Sequence, residues 1–458
     1  MMVETEVMVE DGTVLLEKKQ DVEQSSKEVG RRSDSEFEAC VGLSRKWDAR
    51  EAGREVAQTA IKGLSRPPDF FLLFSTIHYE KHGGFQEFLN GVWEVLPEGT
   101  PLIGGTVVGF TIPQGCYMRG AVSLAVSYQN MDVAIGIGHN TKRNPKKAAE
   151  ECISSIKKEL HDSNYPSKFL YCFISSSLVM EIPFVGRKKI LKNKAVGSAI
   201  TSLLNFTHYF QKGLGREDEV LNRIVKDFPD YSIIGGSSFD NMDFITNYQF
   251  YNNECTTNSV VVLSINTDMK VCTVFDHGMK KTNKTLNVTK LDKTKHVIKE
   301  INYKPAVEEF LRILDWPVDF LDEKKVYTTV PYYPLGFDKG KYVVPAVTPY
   351  FYGNCILTSY PVVDKNIFIL TGSGKTMIDS LKNSLEKSTV TEPKLGIFSE
   401  CATRVFSLGS NVYKEQQYLK SFFGDIPFLV LHMGGECSYT SDKIEIYGNE
   451  LICSSLFS

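Results

Sequence analysis

No run of apolar residues in this chain is long enough to span a bilayer, and its start, MMVETEVMVEDG, lacks the basic region and apolar core of a secretory signal. Both absences argue against membrane insertion and secretion and predict a cytoplasmic protein. The ten cysteines form no CxxC pair, which argues against a zinc cluster or a thioredoxin-type motif and leaves reduced core thiols. Neither sign of charge dominates, with 52 Lys and Arg against 55 Asp and Glu. The chain therefore lacks the basic face that a nucleic acid would need as a partner. The lysine-rich stretch from Lys280 to Lys299 alternates with Thr, Asn and Val, the pattern of a solvated hairpin rather than a phosphate-binding strip. Aromatic residues are missing from positions 1–36, which are rich in acids, so this segment is expected to be mobile and without a packed core.

Two motifs resemble known machinery and lack its key feature. HYEKH places His78 and His82 four apart, but Glu80 does not stand where the metalloprotease pattern HExxH has its acid. ILTGSGKTMIDSL ends a glycine loop in Gly-Lys-Thr, yet Ile369 occupies the place of the first P-loop glycine. The amides of Gly374 to Thr376 remain suited to a simple anion, while no metal or cofactor is implied.

What is present is a repeated strand, helix, strand grammar. With 458 residues and 42% hydrophobic composition the chain can bury large cores, and its length favours two or more domains. DFFLLFS leads through the helical FQEFLNGVWEVL to PLIGGTVVGF, and SKFLYCFISSS leads through a longer helical insertion, 185–228, to YSIIGGSS. A third copy runs from LGIFS to GDIPFLVLHMGGE, with a helix starting near Asn411 and stopping at Gly424. Three strands ending in Gly-Gly predict an α/β fold built by duplication, in two mixed α/β domains.

Ligands of α/β proteins collect at strand ends. CATR leaves the first strand of the third copy and GGE leaves the second, so Cys401, Arg404 and Glu436 are expected to meet there. Arg404 offers a guanidinium to a ligand carboxylate and Glu436 an acceptor to its amino group, a pairing that suits an amino acid. The competing reading has the two residues neutralising each other. A helix N-terminus and a nearby guanidinium would favour a thiolate at Cys401; otherwise it is a small residue filling a crowded strand exit. Catalysis through Cys401 would need His277 or His432 as base, brought there by the fold. His277 is a candidate third wall or a turn residue, and Gly235, Gly236 and Gly435 would let backbone approach the ligand closely.

The chain resembles a FIST-domain protein, with N-type and C-type halves. The resemblance begins at VGLSRKWDAREAGREVAQTA and runs through the strand at Phe70 and PLIGG. It continues through the His277-Gly278, Val288-Thr289 and Pro305-Ala306 pairs, and ends with YPLGF, CATR and GGE. It implies an N-type α/β domain over 37–272, a connecting hairpin over 273–301 and a C-type α/β domain over 302–458. It also implies a sensory or ligand-binding module for small molecules such as amino acids, signalling through a separate partner and without catalysis. Some FIST proteins join an F-box and act as ubiquitin-ligase adaptors, which makes an interaction scaffold with a ubiquitin-pathway partner the rival class. Positions 1–36 are too short and wrongly patterned for an F-box. The chain departs from many relatives at Phe110, where they carry a glutamate, and at Val405, where they carry glycine.

Overall fold

The computed structural model describes residues 36–161, 164–179, 181, 186–340, 342–348, 350–388, 390, 392–440 and 442–458. The expectation of a mobile segment at positions 1–36 lies, except for Glu36, outside the described residues. The fold is mixed α/β, and its repeat goes further than strand, helix, strand.

The first unit runs β1 (Glu38–Ser44), α1 (Ala49–Ile61), β2 (Phe70–Ser75), α2 (Phe85–Trp93), β3 (Leu102–Thr106), the hairpin β4 (Gly109–Ile112) and β5 (Gly115–Tyr117), and β6 (Ala121–Ser127). The second runs β7 (Met131–His139), α3 (Pro145–Glu159), β8 (Ser167–Ser175), an excursion through β9 (Ile190–Leu191) and α4 (Lys194–Thr207), then α5 (Glu217–Asp227), β10 (Ser232–Ser238), the hairpin β11 (Gln249–Tyr251) and β12 (Glu254–Thr256), and β13 (Ser259–Thr267).

The third unit opens with β14 (Val271–Asp276) and is then interrupted by β15 (Lys280–Leu291), β16 (Val297–Ile301), β17 (Lys304–Pro305), α6 (Ala306–Leu314), α7 (Glu323–Thr329), β18 (Leu335–Lys339), β19 (Tyr342–Ala346), β20 (Tyr350–Tyr352), β21 (Cys355–Leu357) and β22 (Asn366–Thr371). It resumes with α8 (Gly374–Lys387), β23 (Leu395–Cys401), α9 (Ala402–Leu408), α10 (Val412–Phe423), β24 (Phe428–Met433), the hairpin β25 (Glu436–Tyr439) and β26 (Glu445–Gly448), and β27 (Ile452–Phe457).

Each unit builds a six-stranded sheet of one design. The orders are β1-β6-β2-β3-β11-β12, β7-β13-β8-β10-β25-β26 and β14-β27-β23-β24-β4-β5. In each, the middle pair is parallel and the other pairings are antiparallel. Parallel neighbours need a crossover connection, which is why a helix lies between them in every unit. The hairpins are exchanged in a cycle: the first unit's goes to the third sheet, the second's to the first, and the third's to the second. Residues 37–272 and 302–458 therefore share two sheets. One apolar core crosses the units, as in the edge contacts of Phe74 with Phe173 and of Phe169 with Phe457.

The remaining strands form a fourth sheet: β15 to β22 are inserted between the first strand and first helix of the third unit, and β9 of the second unit pairs at its edge. β15 and β16 make the expected solvated hairpin, with exposed residues alternating along much of β15. Within the segment read as a helical insertion, α4 packs on β20, whereas α5 is the regular second helix of its unit and packs on α3. Asn411 at the N-terminus of α10 and Gly424 beyond its end, at φ 59°, stand where the sequence puts the start and stop.

The three diglycines are not equivalent, which corrects the reading of three strands ending alike. Gly104 and Gly235 face Leu73 and Cys172 across the parallel pairs, where an added Cβ would lie 1.7 Å and 1.8 Å from those carbonyl oxygens. At the matching place the third unit carries Leu431 and His432, while Gly434 and Gly435 come later, in the turn into the exchanged hairpin.

Candidate functional site: a buried polar centre in the third unit

The strand ends of the third unit gather an unusual number of charged groups out of water. β23 ends in Glu400 and Cys401, and parallel pairing sets His432 of β24 beside Glu400. α9 starts at once, so Arg404 lies in its first turn, and α10 brings Glu415 over the same spot. β25 opens with Glu436, and Glu450 follows β26. All six of these charged or titratable side chains are buried, as is Cys401.

Arg404 is fully engaged. Its Nε donates to Glu400 Oε1 at 2.8 Å, one terminal nitrogen to Glu415 Oε2 at 3.0 Å and to the Met377 carbonyl at 2.7 Å, and the other to Ser380 Oγ at 3.3 Å. Both sequence-based roles for Arg404, ligand clamp and partner of Glu436, give way to this arrangement. Glu400 is flanked by two cations, because its second oxygen lies 3.0 Å from His432 Nδ1. Burial pushes the Glu400 pKa up, but His432 and Arg404 outweigh it and hold the carboxyl down at about 2. Burial and the neighbouring Glu400 charge push Glu415 well above the usual carboxylate range, against the opposing pull of Arg404.

Cys401, Glu436 and Glu450 form a second compartment. The Cys401 thiol lies 2.8 Å from Thr403 Oγ1 and 4.0 Å from Asn449 Nδ2. Neither carboxylate oxygen of Glu436 or Glu450 makes a hydrogen bond of ordinary geometry among the described residues. Cys401 and the Leu451 amide are the polar neighbours of Glu436, and Thr403 is that of Glu450. Burial, reinforced by the charges of Glu450 and Glu400, raises Glu436 well above the usual range; burial is the main cause that lifts Glu450 to about 8. Burial and the same two acids also push the Cys401 thiol well above its ordinary value. The thiolate expected from a helix N-terminus and a guanidinium is thus disfavoured, because desolvation and two acids outweigh them.

The structure brings Cys401 and Glu436 together and sets Arg404 behind Glu400. The expected open cleft is closed: Cys401, Arg404 and Glu436 are each 0% exposed. Gly236 pairs directly with Glu436 and Gly235 with Cys437 between β10 and β25, and the Gly435 carbonyl accepts from the Ser237 amide at 2.8 Å. These glycines let the exchanged hairpin approach β10 closely. No contact among the described residues brings His277 to Cys401 or Glu436: its Nδ1 accepts from the Met279 amide at 2.9 Å, and burial lowers its pKa. A cavity of about 550 Å³ lies elsewhere, lined by His208, Arg216, Asp218, Glu219, Lys293 and Lys295 among others, and none of the expected site residues borders it. Glu400, Glu415 and Glu450 were missed in the sequence, although an acid inside the apolar run LGIFSEC is itself a signal.

The fold and the site thus define a mixed α/β protein of three hairpin-exchanging units with paired acids in its interior. The chain belongs to the FIST N domain family, whose model matches residues 69–304, and FIST domains are sensory domains for small ligands. No curated protein matches the chain. Among solved structures, that of a cyanuric acid hydrolase from A. caulinodans is similar over 92% of this chain and 99% of its own, at 7% identity and a TM-score of 0.33. A likeness at that level carries no functional argument. Among the described residues no helix is long and apolar enough to cross a membrane, and no His, Cys, Asp and Glu group has a metal-binding arrangement.

Proposed function

We propose that this chain is a small-molecule-binding sensory module without turnover, whose ligand is polar, presents a protonated amine to Glu436 and Glu450, and includes amino acids in its class. The observation that carries this reading is the pair of buried acids whose four oxygens lack well-formed hydrogen bonds. Buried polar groups are nearly always satisfied, so such a pair marks a place where a donor is missing. An ammonium between them supplies several charge-assisted hydrogen bonds. Because the compartment is closed, the ligand enters through a local opening, and a signal passes to a separate partner through the exchanged hairpin that carries Glu436.

Burial raises both acids, so an ammonium that favours their carboxylates is expected to release protons to the solvent on binding. Isothermal titration with amino acids and simple amines, in two buffers of different ionisation enthalpy, tests this. Saturable heats with net proton release, lost in Glu436→Gln, are expected. Saturable binding that survives in both Glu436→Gln and Glu450→Gln, or no binding by any amine, sinks the proposal.

One observation favours the scaffold reading instead. Leu203, Tyr209 and Phe210 lie in and just after α4 and are 53%, 64% and 74% exposed, and exposed aromatics of that size mark protein contact sites. A protein partner that co-purifies with the wild type and is lost in Tyr209→Ser/Phe210→Ser, with no amine binding, would select that reading.

A further inference from the structure

We propose that Cys116 is a peroxide-reactive modification site, in which His432 stabilises the thiolate and Glu400 orients His432. Cys116 lies on β5, the edge strand of the exchanged hairpin in the third sheet, and is only partly buried. Its Sγ is 3.9 Å from His432 Nε2, while the other ring nitrogen of His432 lies 3.0 Å from Glu400 Oε2. Thr111 Oγ1 also reaches His432 Nε2, at 3.2 Å. Glu400 is in turn fixed by Arg404 at 2.8 Å. Nucleophile, base and acid thus adjoin one another, and such a set activates cysteine on unrelated folds. Glu400 and His432 are joined as an ion pair at 3.0 Å rather than by a hydrogen bond of ordinary geometry.

The charges agree with the geometry. Burial lowers the His432 pKa, but Cys116 and Glu400 outweigh it and raise it to about 9, so the ring is an imidazolium at neutral pH. Burial pushes the Cys116 thiol up, Glu400 adds a small push in the same sense, and the hydrogen bond and charge of His432 with help from Thr111 turn the net shift downward.

In the reaction the thiolate sulfur attacks one oxygen of a hydroperoxide. The O–O bond breaks, its electron pair leaves with the second oxygen, and that oxygen takes the His432 proton to depart as water or an alcohol. Sulfur is oxidised by two electrons to the sulfenic acid, the peroxide is reduced by two, and His432 regains a proton from solvent. No part of this rests on the amine-binding proposal.

Cys40 and Cys255 are internal controls in the same folded chain, because both are partly buried and burial raises their thiols, Cys255 to about 12. In wild-type protein treated with iodoacetamide and mapped by mass spectrometry, Cys116 is expected to alkylate at pH 7 about tenfold faster than either control. Its rate should hold nearly constant down to a pH below the ordinary thiol range. After hydrogen peroxide, a 1,3-dione probe should label Cys116 first, and Cys116→Ser should remove that labelling. Alkylation no faster than at Cys40 and Cys255 overturns the thiolate assignment, and fast alkylation without dione labelling overturns the peroxide chemistry.

Discussion

Glu400 and Arg404, four residues apart across the junction of β23 and α9, are hydrogen-bonded at 2.8 Å with both side chains shut off from water. Removing one partner of such a pair leaves an uncompensated buried charge, which costs about 3–5 kcal/mol. Arg404→Met is therefore expected to destabilise the protein by about 3–5 kcal/mol in urea unfolding at pH 7. The double variant Arg404→Met/Glu400→Gln should recover part of the loss. A single variant within about 1 kcal/mol of wild type would mean that Arg404 is held there for ligand binding after all.

The acids of the second compartment predict an unusual pH dependence. The folded pKa of Glu450 is raised to about 8 from an ordinary 4.5. A group with a raised folded pKa contributes stability that is present below the unfolded value and is lost as pH rises through the folded one. The wild type is thus expected to lose stability relative to Glu450→Gln between about pH 4.5 and 8, with a limiting slope of about 1.4 kcal/mol per pH unit. Glu400, held down at about 2, acts in the opposite sense: its contribution is present above about 4.5 and is lost as pH falls towards 2. Paired urea titrations from pH 5 to 8.5 check the difference. Parallel curves for wild type and Glu450→Gln would show that the acid is not desolvated in solution.

The repeat was legible in the sequence because an apolar strand, a helix and a second apolar strand follow one another three times, each with its own period and punctuation. Asn411 and Gly424 bounded a helix correctly for the same reason: caps are local chemistry. The hairpin exchange was not legible, because nothing local records which sheet a short strand such as Gly109–Ile112 joins. The placement of Arg404 failed similarly. Its partners Glu415 and Met377 lie eleven positions after and twenty-seven before it, on different helices, so the sequence offers the guanidinium without saying which groups surround it. Burial then reversed the inference for Cys401, since a helix N-terminus favours a thiolate only where water or a cation faces it.

Gly235 and Gly435 look alike in the sequence and should behave differently on substitution. Gly235 has φ 155° and an added Cβ would lie 1.8 Å from the Cys172 carbonyl oxygen, a backbone atom that cannot move aside without breaking the parallel pair. Gly235→Ala is expected to cost at least about 2 kcal/mol, from overpacking and backbone strain together. The nearest atom to an added Cβ at Gly435 is the Tyr447 hydroxyl at 3.0 Å, the far end of a side chain. Gly435→Ala should stay within about 1 kcal/mol of wild type. Thermal melts of the two variants decide the matter, and equal losses would restore the equivalence of the diglycines.

Exchange of hairpins makes the two halves of the chain interdependent, which residues 37–272 expressed alone would reveal. In that piece β10 loses its neighbour β25, and β4 loses β24, leaving the Phe110 and Ile112 face without its sheet. An unpaired sheet edge beside exposed apolar residues favours association over folding. The piece is expected to lack a cooperative thermal transition and to bind a hydrophobic dye, and co-expression with residues 273–458 should restore a cooperative melt. Were residues 37–272 to melt cooperatively as a monomer, the exchanged strands would be accessories to a self-sufficient domain. Signalling through movement of the β25–β26 hairpin would then lose its mechanical basis, since that motion would no longer disturb the sheet of the second unit.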